Sequence, residues 1–222
     1  MRSFNIIYEE AVLRHGSGEA VEKRLPVPST PDELIKKSNA FYLDEMSRRI
    51  FRAGLRHNMV DAKWPAFRRV FHEFDIDKVR LMSDEQLEQL MHDKRIIRHW
   101  AKIKAVRNNA QAFHELLQVY DSAGSYLADW PTGQVIELWA DLKKHFSQMG
   151  GNSGPYFLRM VGKDTFLLTD HVVKALTKWG EIDRRPAGKK SLAEVQDCMA
   201  QWSMESRRPL CQVSMILALT VD

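Results

Sequence analysis

Apolar residues return at every third or fourth position along most of this chain, a rhythm that restricts the fold to packed helices. Between Ile96 and Tyr120 the series Ile96, Ile97, Trp100, Ile103, Val106, Ala110, Phe113 and Leu117 marks one face of a long helix. Gln134 to Phe146 repeats the pattern with Leu138, Trp139, Leu142 and Phe146, and Ala62 to Phe74 does so with Trp64, Phe67, Val70 and Phe71. Start signals agree. Ser29-Thr30-Pro31-Asp32-Glu33 supplies a cap, a first-turn proline and early acids ahead of Leu34, Phe41, Leu43, Met46, Ile50, Phe51 and Leu55. Ser83-Asp84-Glu85-Gln86 is a capping box before Leu87, Leu90 and Met91. Short helices are expected over Pro155 to Met160 and Asp170 to Trp179. Leu192 to Met204, capped by Ser191, and Leu210 to Leu219, opened by Pro209, complete the set. No β-hairpin signal and no internal repeat is present, so the expected fold class is all-α. Residues 1–28 are polar, contain Gly16-Ser17-Gly18, and are set apart as an N-terminal arm. Residues 29–222 form the helical domain.

With 222 residues the chain has room for one large domain or two small lobes. A net charge of +4 and a pI near 9.0 are compatible with a nucleic-acid partner without requiring one. The two cysteines, Cys198 and Cys211, have no zinc spacing and fit a reducing compartment. No apolar run reaches membrane-spanning length and the first ten residues lack a signal-peptide pattern. The expectation is a soluble cytoplasmic protein without membrane contact.

Met149-Gly150-Gly151-Asn152-Ser153-Gly154 interrupts the helical series with a turn whose glycines allow close approach of another backbone. Amides left bare in such a turn hold phosphate. Sixteen residues after Gly154 stands Asp170, at the start of the next expected helix. A carboxylate at that distance suits chemistry on a nucleotide whose backbone the turn grips. The competing reading is a tight interhelical turn followed by an ordinary helix N-cap serving the amides of Val172 and Val173.

Several runs resemble the bacterial 3-methyladenine DNA glycosylase I family. They are Phe51-Arg52-Ala53-Gly54-Leu55, Ala66-Phe67-Arg68-Arg69-Val70-Phe71, and Phe74-Asp75-Ile76-Asp77-Lys78-Val79. The series continues through Ile96-Ile97-Arg98-His99-Trp100-Ala101-Lys102-Ile103, Asn108-Asn109-Ala110 and Asp170-His171-Val172-Val173. The resemblance covers roughly residues 30–180 and implies a two-lobed helix-hairpin-helix glycosylase fold with a DNA-binding cleft. It also marks departures. The family's zinc is held by Cys and His; here His171 matches one ligand, Ala175 replaces another, and the N-terminal Cys is missing. No metal and no cofactor are therefore expected. The family's base-recognition carboxylate falls at Arg49, and its pocket tryptophan at His57. In the wider superfamily a Schiff-base lysine stands at the position of Asn152, so lyase chemistry is not expected here.

What the resemblance implies is a monofunctional glycosylase that removes a damaged, alkylated base from double-stranded DNA by base excision repair, acting as a monomer. A DNA-binding protein that has lost excision is the alternative. Asp170 is the candidate catalytic residue, stabilising oxocarbenium character on the sugar or activating water. Gly150, Gly151, Asn152, Ser153, Gly154 and Lys174 are candidates for phosphate binding. Leu55 is the candidate wedge that fills the stack when a base is flipped out. Arg49, His57, Trp64 and Tyr42 are candidates for the base pocket. Each aromatic has core packing as its competing reading. An Arg49 facing the pocket would repel a cationic alkylated base and tolerate a neutral or anionic-edged one. The basic loop Arg184-Arg185-Pro186-Ala187-Gly188-Lys189-Lys190 is either a DNA contact or a solvated loop.

Overall fold

The computed structural model describes residues 1–222 and contains fourteen α-helices and no strand. They are α1 (Phe4–His15), α2 (Gly18–Glu22), α3 (Pro31–Ile35), α4 (Asn39–Arg52), α5 (His57–Val70), α6 (Ile76–Arg80) and α7 (Asp84–Leu90). Then follow α8 (Trp100–Leu116), α9 (Ala123–Asp129), α10 (Val135–His145), α11 (Ser153–Val161), α12 (Asp170–Lys178), α13 (Lys189–Ser206) and α14 (Leu210–Leu219). No helix is long and apolar enough to cross a membrane. The chain divides into two compact units: Thr30–Trp130 with Trp139–Val161, and Met1–Ser29 with Pro131–Leu138 and Gly162–Asp222.

The first of these units is built around α4. Ser38 caps it, its hydroxyl accepting from the Phe41 amide at 3.1 Å, and so divides the apolar series from Leu34 to Leu55 into two helices. Tyr42, Leu43, Met46, Ile50 and Phe51 on α4 are buried against α5, α6, α8, α9 and α11. An aromatic cluster fills the space behind α4. Trp64 stacks on Phe67 and Phe74, with ring centroids at 4.8 and 5.7 Å, and Phe51 lies 4.5 Å from Phe67. Helix α5 begins at His57, five residues before the expected Ala62, and continues through Pro65. His72, Glu73 and Phe74 all take positive φ, a left-handed turn that redirects the chain into α6 and seats Phe74 in the cluster. The sequence reading missed α9, whose Gly124 lies against the main chain of α3. A Cβ there would come within 2.3 Å of the Leu34 carbonyl oxygen, which explains the glycine.

The second unit surrounds α14. This helix is apolar on all sides and is enclosed by α1, α12 and α13, the arrangement such a helix demands. The Asp164 carboxylate accepts from the amides of Leu210 and Cys211 at 3.0 and 2.9 Å and closes its N-terminus. Residues 1–28 contribute α1 and α2 to this unit, with Phe4, Ile7, Ala11 and Val21 buried. The Trp202 indole N–H donates to the Arg2 carbonyl at 2.9 Å and Glu205 accepts from the Phe4 amide at 3.0 Å, which ties the segment to α13. Gly188, and not Ser191, is the N-cap of α13, so Lys189 and Lys190 belong to the helix.

Candidate functional site

Two turns of the α4-centred unit carry features expected of DNA-handling segments, and one helix holds both. The first turn, Ala53-Gly54-Leu55-Arg56, joins α4 to α5, with Gly54 at φ +75°. Leu55 is half-buried at this turn, and His57, Asn58 and Met59 are exposed beside it. The carbonyls at the end of α4 need donors because no further helical amides follow. Lys102 on α8 supplies them: its Nζ donates to the Ala53 carbonyl at 2.6 Å and the Phe51 carbonyl at 3.4 Å. Its amine is buried, which lowers its pKa, and the charge on Arg49 adds to that effect.

The second turn joins α10 to α11. Gln148 and Gly151 adopt left-handed φ of 65° and 59°, and the Ser153 amide returns to the Gly150 carbonyl at 3.2 Å. Gly150, Gly151 and Asn152 are exposed. Ser153 and Gly154 were candidates for phosphate contact, but both are buried. Gly154 is closely packed: a Cβ there would stand 3.2 Å from the Met149 carbonyl oxygen, a tight contact. The exposed part of the candidate phosphate turn is therefore Gly150-Gly151-Asn152, leading into the N-terminus of α11. Asn109 on α8 holds this turn from inside. It is fully buried, accepts from the Ser147 amide at 2.7 Å and donates to the Ser147 carbonyl at 3.2 Å. Lys102 and Asn109 stand seven residues apart, two turns along one helix face. Both fall in the family-like runs, yet the sequence assigned neither a role.

The expected base-pocket residues separate on burial. Tyr42 is fully buried and its hydroxyl donates to the Leu34 carbonyl at 2.7 Å. Burial alone pushes its phenol up to about 12. Trp64 is stacked in the aromatic cluster, and its indole N–H donates to Asp44 at 2.5 Å. Both are core residues, a correction to the pocket assignment: their ring faces are already covered by protein and cannot stack on a base. His57 is exposed at the start of α5.

Arg49 is 9% exposed, unusual for an arginine. Its guanidinium lies 4.5 Å from the Tyr156 ring centroid on α11, and its Nε is enclosed without a hydrogen-bond partner. Burial lowers its pKa, and Arg52 adds to that lowering. The neighbouring carboxylates are engaged elsewhere. Arg52 binds Asp61 through Nε at 3.1 Å and Nη2 at 2.6 Å, with Arg48 adding a contact at 3.0 Å. Asp44 serves Trp64 and Arg68. Arg52 is thus a clamp between α4 and α5.

In the other unit, Asp170 is the first residue of α12 and is exposed. The cap expected of it is made by Thr169, whose hydroxyl accepts from the Val172 amide at 3.2 Å. The Asp170 carboxylate is left for other work and pairs with Arg185. Arg185 also donates to the Leu168 carbonyl at 3.1 Å, so it links the loop to the start of α12. Lys174, one turn on, donates to the Asp222 carbonyl at 3.0 Å. His171 is exposed and Ala175 is buried. No group of three His, Cys, Asp or Glu side chains is placed to hold a metal ion.

Comparison with known proteins bears on the unit that holds both turns. The chain is 42% identical over 66 residues to DNA-3-methyladenine glycosylase 1 of Escherichia coli (strain K12), which covers 30% of this chain and 35% of that protein. The matched stretches thus span about a third of the length of the curated relatives. A solution structure of 3-methyladenine DNA glycosylase I superposes with a TM-score of 0.50 at 26% identity, covering 65% of this chain and 84% of that one. The 8-oxoguanine glycosylase/lyase of Methanocaldococcus jannaschii, solved with DNA, shares the fold over 96% of this chain and 95% of its own, with a TM-score of 0.54 and 17% identity. The methyladenine glycosylase family model matches residues 38–150, which include Arg49, the Leu55 turn, Lys102 and Asn109. The match covers just over half of the chain, and the protein belongs to the methyladenine glycosylase family.

Proposed function

We propose that this protein is a monofunctional DNA glycosylase that hydrolyses the N-glycosidic bond of a damaged base in duplex DNA, as the first step of base excision repair. One observation carries the reading beyond family membership. Helix α8 uses two buried polar side chains, Lys102 and Asn109, to hold two turns whose tips are exposed. Such an investment suits turns that must keep their shape under load from a ligand. The Gly150-Gly151-Asn152 turn takes a phosphate, and Leu55 enters the stack as the target nucleotide is flipped out.

Cleavage of the glycosidic bond places positive charge on the sugar, and a carboxylate lowers the barrier by stabilising it or by taking a proton from attacking water. Asp170 supplies that carboxylate. Its carboxylate pairs with Arg185, and a DNA phosphate that draws Arg185 away frees it for the sugar. Asn152 has no amine to form a Schiff base, so the product is an abasic site with an intact backbone. The partner is double-stranded DNA, engaged by a single copy of the chain in the cytoplasm.

The test is mass-resolved release of free bases from lesion-containing duplex DNA by wild type and Asp170→Asn. Release by wild type that falls at least ~10³-fold in the variant, with duplex binding kept, supports the reading. Duplex binding without release by either protein, across a broad lesion panel, supports a DNA-binding protein that has lost excision.

A further inference from the structure

We infer that Arg49 makes the base site of this protein selective for a base whose edge carries acceptor oxygens or negative charge, and hostile to cationic N-methylated purines. The inference rests on the glycosylase reading above and narrows its substrate class.

Arginine is a planar fork of N–H donors, and a buried guanidinium is stable only where acceptors meet it. Arg49 leaves one such donor unmet within the protein: its Nε is enclosed and unpartnered, on a side chain only 9% exposed. The charged and titratable groups around it do not neutralise it. From α11 comes the Tyr156 ring, whose centroid lies 4.5 Å from the guanidinium carbon as a cation–π partner. From α8 comes Lys102, a second buried cation, committed to the Ala53 and Phe51 carbonyls. On α4 itself, Arg52 is tied to Asp61, and Glu45 is half-committed to Arg48 at 3.5 Å. The site is therefore a buried pair of positive charges whose neighbouring carboxylates are engaged elsewhere, and one of the two keeps a buried N–H without a partner.

A positively charged purine brought to this place adds a third cation in a poorly screened setting, where repulsion is strong. A base offering a carbonyl oxygen beside a ring nitrogen matches the guanidinium fork with two parallel hydrogen bonds. A backbone phosphate would supply the same acceptors. The enclosure of Arg49, only 9% exposed and set against Tyr156 of α11, favours a small flat ligand over the polymer backbone.

The test uses the full chain as wild type, Arg49→Gln and Arg49→Glu. Calorimetric titration measures binding of xanthine, whose edge carries two carbonyl oxygens, and of 3-methyladenine, which presents an amino group. In parallel, release of each base is followed from duplex DNA, where 3-methyladenine carries a positive charge. Wild type should bind xanthine at least ~10-fold more tightly than 3-methyladenine, and Arg49→Gln should abolish that preference. Arg49→Glu should reverse it; if this variant does not fold, the wild-type order and Arg49→Gln decide the matter alone. Equal or stronger binding of 3-methyladenine by wild type overturns the inference, as does absence of binding to either base. Arg49→Gln that weakens undamaged duplex binding while leaving base preference intact overturns it in favour of a phosphate contact. The two readings fail separately. Release that depends on Asp170 but ignores Arg49 removes only the specificity claim. A xanthine preference lost in Arg49→Gln, without release of any base, removes only the excision claim.

Discussion

Replacing Asn109 by alanine tests whether α8 is the support of the α10–α11 turn. The side chain is fully buried and makes two hydrogen bonds to a single residue, accepting from the Ser147 amide at 2.7 Å and donating to the Ser147 carbonyl at 3.2 Å. Alanine removes both and leaves a donor and an acceptor of the main chain without partners. Each net hydrogen bond is worth about 1 kcal/mol, and a stranded buried group costs about 1–3 kcal/mol more. Ser147 is half-exposed, so water recovers part of that cost. The expected loss is about 2–4 kcal/mol, or roughly 5–15 °C in Tm for a chain of this size. Thermal denaturation followed by circular dichroism reads it directly. Asn109→Asp is the sharper variant: it keeps the acceptor for the Ser147 amide but sets a carboxylate oxygen against the Ser147 carbonyl, and should be at least as damaging. Duplex binding at several salt concentrations then reports the turn itself. Loss of a held phosphate lowers the slope of log affinity against log salt by about one unit. An Asn109→Ala protein with unchanged Tm, or one destabilised with an unchanged salt slope, would refute the argument that this residue shapes a phosphate-binding turn.

Leu55→Ala should lower base release from duplex DNA by ~10-fold or more while sparing single-stranded substrate, because only a duplex leaves a gap to fill. Its Tm should move little, since Leu55 is half-exposed. Gly151→Ala, at φ +59°, should cost about 1 kcal/mol of stability from backbone strain, although a Cβ there meets open space. The Arg52–Asp61 clamp predicts an acid limb. Hydrogen bonds from Arg52, then from Arg48, hold the Asp61 carboxyl below its ordinary value of 3.8. Its folded-state pKa is therefore the lower one, so the contribution is fully present above pH 3.8 and is lost as pH falls through the depressed value. Asp61→Asn should flatten that part of the stability–pH curve, as measured by urea titrations between about pH 2 and 5.

The sequence by itself determined most of the helices, α1, α2, α6 and α9 excepted, because their signals are local. The spacing of apolar residues, the Thr30 and Ser83 capping boxes and the glycines at Gly151 and Gly154 act within a few residues of themselves. The ordered family-like runs likewise pointed to the family that residues 38–150 match. What a side chain faces is a different kind of fact, and only the tertiary structure decided it. Tyr42 and Trp64 carry the same periodicity whether they line a pocket or a core. Their partners, Leu34 and Asp44, settle the matter in favour of the core. The burial of α1 depends on α13 and α14, nearly two hundred residues away. Thr169 takes the cap and so leaves Asp170 to Arg185, a pairing across fifteen residues that no local pattern announces. Lys102 and Asn109 read as ordinary polar residues of a long helix. Their meaning comes from carbonyls and amides at Phe51, Ala53 and Ser147, groups every residue owns and no sequence distinguishes. The charge at Arg49 was legible, but its isolation was not. A cation is isolated only when every nearby carboxylate is already taken, and that is a property of the whole packed unit.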